Sequence, residues 1–401
     1  MTSIPSRTRP PRRMPPWLAG PLALACAVLL AACSTTTGPS ESAGEAALTP
    51  EQQKVLDGGF AGVFQKPPTD GPAAVRGKTV WFISCGENFE ACHTMSASFT
   101  EAARKLGWRV KVVDSKYQAA AANTAIGQAI AARADGIVTA AFDCPQIKSG
   151  LLAARSAKVP VVNYAALDCD DPNFGSGEPL FTATLNTMGS TETRDYYAGR
   201  GRYNARFLAA KLAERGIRNP KVLVVKNVDQ VIHAVGWKAF EKEMADACPD
   251  CRLVPVTWNI TGFPNPATQI VKSALTAHPD AAAVAYDSDS FMTGGFASAI
   301  RQSGRSNLVV CCGDGQVSGT QLIREGVVTA TSLIPYEYDI WATADTLNRI
   351  LSGADPAGLP NQGGGFIYVD AEHGLPAKGA GIDVPVDFKT TRERVWSGGT
   401  T

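Results

Sequence analysis

Histidine is scarce in this chain, with four residues, and its charges nearly cancel at 38 basic against 37 acidic. With no basic stripe and no helix-turn-helix pattern, nothing points to nucleic acid as a partner. His93, His233, His278 and His373 are scattered, so each reads as a surface or supporting residue, not a metal ligand or base. The phosphate loop GxxxxGK[ST], the HExxH pair and the GxSxG elbow are all missing. "GDGQVSG" (313–319) has the wrong glycine spacing for a dinucleotide fingerprint. "DSDS" (287–290) starts like a calcium loop, but Met292 and Ser298 stand where that loop needs Gly and Glu. The expectation is a chain with no cofactor, no metal and no catalytic constellation. No apolar run approaches the about 20 residues of a membrane span.

The longest such run, Trp17 to Ala32, is broken by Gly20 and Pro21 and follows Arg7, Arg9, Arg12 and Arg13 without an acid. A basic start, a short apolar segment and small residues at its end read as a secretory signal over 1–32. Arg12-Arg13 leaves twin-arginine export open beside the general route. Leu30-Ala31-Ala32-Cys33 resembles the lipobox of bacterial lipoproteins. That resemblance implies lipidation at Cys33, cleavage before it and attachment to the outer face of the cell membrane, with at least two acyl chains for stable anchoring. Loss of 1–32 leaves 34 basic and 37 acidic residues, a net charge near −3. Residues 33–76 are rich in Ser, Thr, Gly, Pro and Ala and read as a flexible tether. Thr49-Pro50-Glu51-Gln52 has the N-cap, N1 proline and N3 glutamine of one short helix within it.

Beyond Cys26 and Cys33, eight cysteines remain: Cys85, Cys92, Cys144, Cys169, Cys248, Cys251, Cys311 and Cys312. An even number in an exported chain favours disulfides, although 105 pairings are possible. Proximity favours Cys85 with Cys92 and Cys248 with Cys251. Cys144 and Cys169 both follow strands at one end of a sheet, where they can meet. Cys311-Cys312 needs either a strained adjacent bridge or two separate partners. "CPDC" (248–251) lacks a second CxxC, which favours a loop staple over zinc or redox chemistry.

From Lys78 onwards short apolar runs alternate with helical spacing. "TVWFIS" reads as a strand buried on both faces, and "RVKVVD", "GIVTAA" and "VPVVNY" as further strands separated by helices. The rhythm lapses over 168–200 and restarts with "KVLVVK", "RLVPVTW", "AAAVAY", "NLVVCC" and "VVTATSLI". The expected fold is α/β: two Rossmann-like lobes with parallel sheets, joined by a hinge of three crossings. The lobes are expected at 77–190 plus 336–366 and at 191–335 plus 367–395.

In such sheets a ligand sits beyond the carboxyl ends of the strands. Those ends carry Asn88 and Phe89, Phe142 and Asp143, Asn163 and Tyr164, Asp229 and Gln230, Ser288 and Asp289, Asp314, and Tyr336. Aromatic faces beside amide, hydroxyl and carboxylate groups suit a polyhydroxyl or amphipathic small molecule. Each Asp or Asn is equally at home as a cap or turn residue. Trp237 shares a helix with Phe240 and Met244 and reads as core.

Over about Thr79 to Gly353 the chain resembles the type I periplasmic binding proteins of ABC transporters, in their ribose-binding-like branch. "NPATQIVKSALTAHPDAAAVAYDSDSFMTGGFASAIRQSGRSNLVVCCGDG" (265–315) carries the likeness best, and "EAARKLGWRVKVVDS" and "GIVTAAFDCPQIKSGLLAARSAKVPVVNY" carry it in the first lobe. The resemblance implies a monomeric clamshell that closes on a small-molecule solute and delivers it to an ABC permease. By position it implies contacts near Asn88, Phe89, Phe263, Ser288 and Asp314. The chain departs where sugar binders of this branch hold an Asp-Arg pair, since Ala165 and Ala166 stand there. His233-Ala234 falls where an arginine is expected, and Ile334-Pro335 where a glutamine is expected. Losing such charge-assisted partners costs about 1.5–3 kcal/mol each, which turns the expectation towards an aromatic or amphipathic ligand. A sensory receptor docking on a transmembrane signalling protein is the alternative, and an exported hydrolase a third reading. The signal and the lack of a DNA-binding headpiece exclude a regulator of transcription.

Overall fold

A computed structural model of the chain describes residues 48–190, 192–260 and 263–399. Cys33 and the signal-like segment lie outside these residues. No helix among the described residues is long and apolar enough to cross a membrane.

The described chain opens with α1 (Pro50–Ala61), whose Thr49 forms a reciprocal capping box with Gln52. Strand β1 (Val63–Gln65) follows. The first sheet takes β2 (Thr79–Ser84), β3 (Arg109–Asp114), β4 (Gly136–Ala140), β5 (Val161–Tyr164) and β6 (Ala183–Thr184), in the order β3-β2-β4-β5-β6 and all parallel. Helices α2 (Glu90–Leu106), α3 (Ala119–Ala131) and α4 (Cys144–Ser156) make its crossovers. Helix on both faces explains the continuous burial of β2, β4 and β5.

After α5 (Thr193–Glu214) the second sheet takes β7 (Lys221–Asn227), β8 (Arg252–Trp258), β9 (Ala281–Tyr286), β10 (Val309–Cys312) and β11 (Ala330–Ser332). Its crossovers are α6 (Val231–Ala247), α7 (Asn265–Ala277), the short α8 (Asp289–Phe291) with α9 (Ala297–Gln302), and α10 (Val317–Arg324). Helix α11 (Tyr336–Leu351) returns to pack on α2 and β5 of the first lobe. Strand β12 (Gly364–Phe366) pairs with β1, and β13 (Tyr368–Asp370) joins the second sheet antiparallel to β11. The order is β13-β11-β10-β9-β7-β8. Terminal α12 (Phe388–Trp396) stacks Trp396 on Trp341 of α11, with ring centroids 5.5 Å apart.

Two segments sit differently from the expectation. The 33–76 tether is not slack throughout: α1 packs on α5, and β1 pairs with the chain running into β13. The 367–395 segment was expected with the second lobe, but its helical end packs on α11 of the first. Phe388, Val395 and Trp396 are buried there, and the Trp396 indole N–H donates to Asp345 at 2.7 Å.

Candidate functional site

The cavity between the lobes is built around the crossing of α5 and α6. Helices α5 and α6 cross with Gly201 directly against the Gly236 carbonyl, where any Cβ would collide with the backbone. That approach brings Tyr197, Arg200 and Asn204 of α5 beside His233, Trp237 and Phe240 of α6 in one wall. Strand ends add Gln230, Asp287 and Ser288. The opposite wall, from the first lobe, is Ala91, Cys92, Met95, Tyr117, Ala141 and Ala165. Phe291, Ile334 and Tyr336 complete a space of about 80 Å³ beyond the carboxyl ends of both sheets.

Disulfides brace the first wall. Cys85–Cys92 ties the end of β2 to the first turn of α2, and Cys144–Cys169 ties the start of α4 to the loop after β5. Cys248–Cys251 staples the turn between α6 and β8. Cys311 and Cys312 are buried thiols.

Charge lies on the second wall. The Asp287 carboxylate meets His233 Nδ1 at 2.9 Å and accepts from the Trp237 indole N–H at 3.3 Å. Arg200 donates to the carbonyls of Gly313, Ser332 and Leu333, so its guanidinium is held by backbone, with no carboxylate partner among the described residues. Gln230 is buried, and its Oε1 has no hydrogen-bond partner among the described residues. An orphaned buried acceptor costs about 1–3 kcal/mol, so a ligand donor reaching it would recover that cost. Burial pushes the Tyr117 hydroxyl up to about 12, so it stays a donor at neutral pH.

The lobes touch around this space. Asp143 Oδ2 accepts from the Val231 N–H at the start of α6, at 3.0 Å. Its Oδ1 accepts from the Leu167 N–H at 2.9 Å. Burial holds this carboxyl above the usual range, opposed by those two hydrogen bonds. The Ala91 N–H donates to Ser290 Oγ at 3.2 Å, and Glu90 accepts from the Ser318 N–H at 3.3 Å. The Phe89 ring lies 5.6 Å from Phe263 and 6.0 Å from Phe291. The clamshell is closed.

Of the residues expected at the ligand, Ser288 and Tyr336 line the cavity. Phe89 and Phe263 form the cross-lobe aromatic cluster beside it, and Asp143 the latch. Phe142 is buried in the first core, its ring 6.3 Å from Tyr117. Asn88 is exposed and away from the cavity, because the turn before α2 points it to solvent. Tyr164 donates to Asp339 at 2.9 Å behind the first wall. Asp289 accepts from Tyr286, Thr331 and the Gln316 N–H. Asp314 accepts from the Asp289 N–H and the Tyr336 hydroxyl. Burial and the neighbouring Asp289 raise the Asp314 carboxyl well above its ordinary range. Both acids support the floor from below.

Helix-borne residues escaped the strand-end search. Arg200 and Tyr197 lie in the stretch where periodicity lapses, and His233, isolated in sequence, is brought to Asp287 by α6. Trp237 is both core and lining, since its ring packs on Phe240 while its N–H turns to Asp287.

Solved structures share the architecture. An ABC sugar transporter subunit from Rhodobacter sphaeroides aligns with a TM-score of 0.59 and 16% identity, over 75% of this chain and 100% of its own. The periplasmic binding component of an arabinose ABC transporter from a Shewanella species, bound to arabinofuranose, aligns at 0.58 and 20%, over 72% and 91%. A solute-binding protein from Mycobacterium smegmatis with bound glycerol aligns at 0.58 and 16%, over 74% and 94%. No curated protein matches the chain in sequence. The model of the periplasmic binding protein domain matches residues 82–355, well over half of the chain. With two mainly parallel sheets and a cleft at their carboxyl ends, this chain belongs to the periplasmic binding protein family, whose members bind solutes and are not enzymes.

Proposed function

We propose that this protein is the extracytoplasmic solute-binding component of an ABC importer, held at the membrane by lipid on Cys33. In this reading it acts as a monomer: the lobes close on one small molecule and present it to a permease. The carrying observation is the cavity between the strand ends, with the unpartnered Gln230 acceptor and the Asp287–His233 pair facing an apolar wall. At about 10–15 Å³ per water-sized group, 80 Å³ accommodates roughly five to eight such groups, the scale of a small polyol. Gln230 and Asp287 accept hydroxyl or amino protons, while Trp237, Tyr197 and Phe291 cover a less polar face. The ligand class is therefore sugar-like with one apolar face, since Ala165 and Ala166 offer no polar grip from the first lobe.

A thermal-shift panel of pentoses, hexoses, small polyols, nucleosides and aromatic acids tests this. A ligand that binds only the folded state adds RT ln(1 + [L]/Kd), about 2.7 kcal/mol at a hundredfold excess over Kd. A rise in melting temperature with a sugar-like compound, lost in the Gln230→Ala variant, is the expected result. Flat melting curves across the panel, with native mass spectra showing an empty protein, would remove the solute-binding assignment to this cavity.

A further inference from the structure

Cys311 and Cys312 are the two cysteines among the described residues that stand outside a disulfide. They end β10, inside the second sheet, and both are fully buried. Successive side chains on a strand point to opposite faces, so adjacent cysteines of a regular strand hold their sulfurs apart. Here the two sulfurs lie 3.0 Å from each other, closer than non-bonded sulfur atoms pack. The backbone explains how: Cys312 has φ of +112°, a region that residues with a Cβ seldom occupy. That turn brings its side chain back towards Cys311. Contact between the sulfurs and the irregular backbone are separate observations, and both describe a chain shaped for a bond between neighbours.

We propose that Cys311 and Cys312 form a vicinal disulfide in the exported protein. The S–S bond forms as two S–H bonds break, releasing two protons and two electrons. The electrons reduce a protein disulfide of the exporting compartment by thiol–disulfide exchange, leaving that carrier as a dithiol. The full burial of both sulfurs means that exchange occurs before β10 is enclosed. Adjacent Cα atoms are about 3.8 Å apart, below the 4.4–6.8 Å of ordinary bridges, so this bridge is strained and is the most readily reduced of the four. A loop this short stabilises the folded state least by restricting the unfolded chain. Its consequence is local: it sets the backbone entering the cleft floor. Gly313, the next residue, accepts from Arg200, and Asp314 after it accepts from Tyr336, which also lines the cavity.

The proposal rests on the extracytoplasmic reading, and the three other bridges provide its internal control. Protein purified after export is unfolded in denaturant with an alkylating reagent and no reductant, then digested and weighed. The expected peptide carrying Cys311-Cys312 has no alkyl group and is about two mass units below its dithiol form, two hydrogens having left. The Cys312→Ala variant, treated identically, shows one alkylated thiol at Cys311 and verifies the labelling. Double alkylation of Cys311 and Cys312 while the other six cysteines stay bridged overturns the vicinal disulfide and leaves the export reading intact. A crosslink from either residue to another cysteine overturns it equally. Alkylation of all eight overturns both, because no oxidising compartment then handled the protein.

Discussion

The two walls of the cleft handle charge in opposite ways. The second lobe exposes Asp287, His233, Arg200 and Gln230 to the cavity, along α5, α6 and the strand ends. The first lobe presents Met95, Cys92, Ala141 and Ala165, with Tyr117 as its polar exception, and buries one acid behind Tyr164. That acid is Asp339, buried in the first turn of α11 under Tyr164. In the proposed reading, recognition is built on one lobe, and the other closes an apolar wall braced by two disulfides over the ligand. A cavity wall without charged groups avoids desolvating them against the ligand at each closure, a cost of several kcal/mol for an unpaired ion.

The largest effect that sharpens this contrast is a pH dependence of stability. Burial raises the Asp339 carboxyl from 3.8 to about 7, only partly offset by the Tyr164 hydrogen bond. Its Oδ1 has no partner, as suits a carboxyl that keeps its proton. With the folded value above the unfolded one, this group's contribution is whole below pH 4. It falls as the pH rises to about 7, because the unfolded chain releases the proton first. At 1.36 kcal/mol per unit the loss approaches roughly 4 kcal/mol. Asp339→Asn stays neutral throughout, so its melting temperature should overtake that of the unmodified protein between pH 4 and 8. Parallel curves over that range would mean that the first lobe hides no proton.

Asp287→Ala is next. It strands the Trp237 N–H and the His233 ring and removes a cleft acceptor, and a charged hydrogen bond is worth about 1.5–3 kcal/mol. Calorimetry with the best binder from the panel should show affinity falling about a hundredfold, whereas Met95→Ala on the opposite wall should cost only a few-fold. Equal losses on the two walls would end the division between recognition and lid. Asp143→Asn follows. Its amide has a single oxygen and can no longer accept from both Leu167 and Val231, so closure weakens. About a tenfold faster release, read by stopped flow with the on-rate nearly unchanged, is the expected signature.

The sequence carried the architecture far better than the site, for a physical reason. Strands such as "TVWFIS" and "VVNY" are apolar on both faces, so period alone revealed two parallel sheets and the end at which a ligand sits. Cys85–Cys92 and Cys248–Cys251 were readable from chain proximity, and Cys144–Cys169 from the shared strand end. The wall residues of α5 were not legible, because that helix begins inside the irregular 168–200 stretch and reaches the cavity through the Gly201–Gly236 crossing. Strand-end acids such as Asp289 and Asp314 were visible but ambiguous. Whether such an acid meets the ligand or the backbone depends on tertiary neighbours, here Thr331, Gln316 and Tyr336.

The smallest expected effect tests that ambiguity at one turn. Asn88 and Phe89 are adjacent and both precede α2. The structure exposes Asn88, while Phe89 caps the cluster with Phe263 and Phe291 that joins the lobes. Aromatic pairs of this kind contribute about 0.5–1.5 kcal/mol beyond their burial, and the contacts exist only when the cleft is closed. Phe89→Ala should therefore weaken ligand binding by about tenfold through closure, whereas Asn88→Ala should change it by less than about twofold, the usual result for a surface change. A loss at Asn88 matching that at Phe89 would return the first lobe's turn to the ligand and make the lid a second recognition wall.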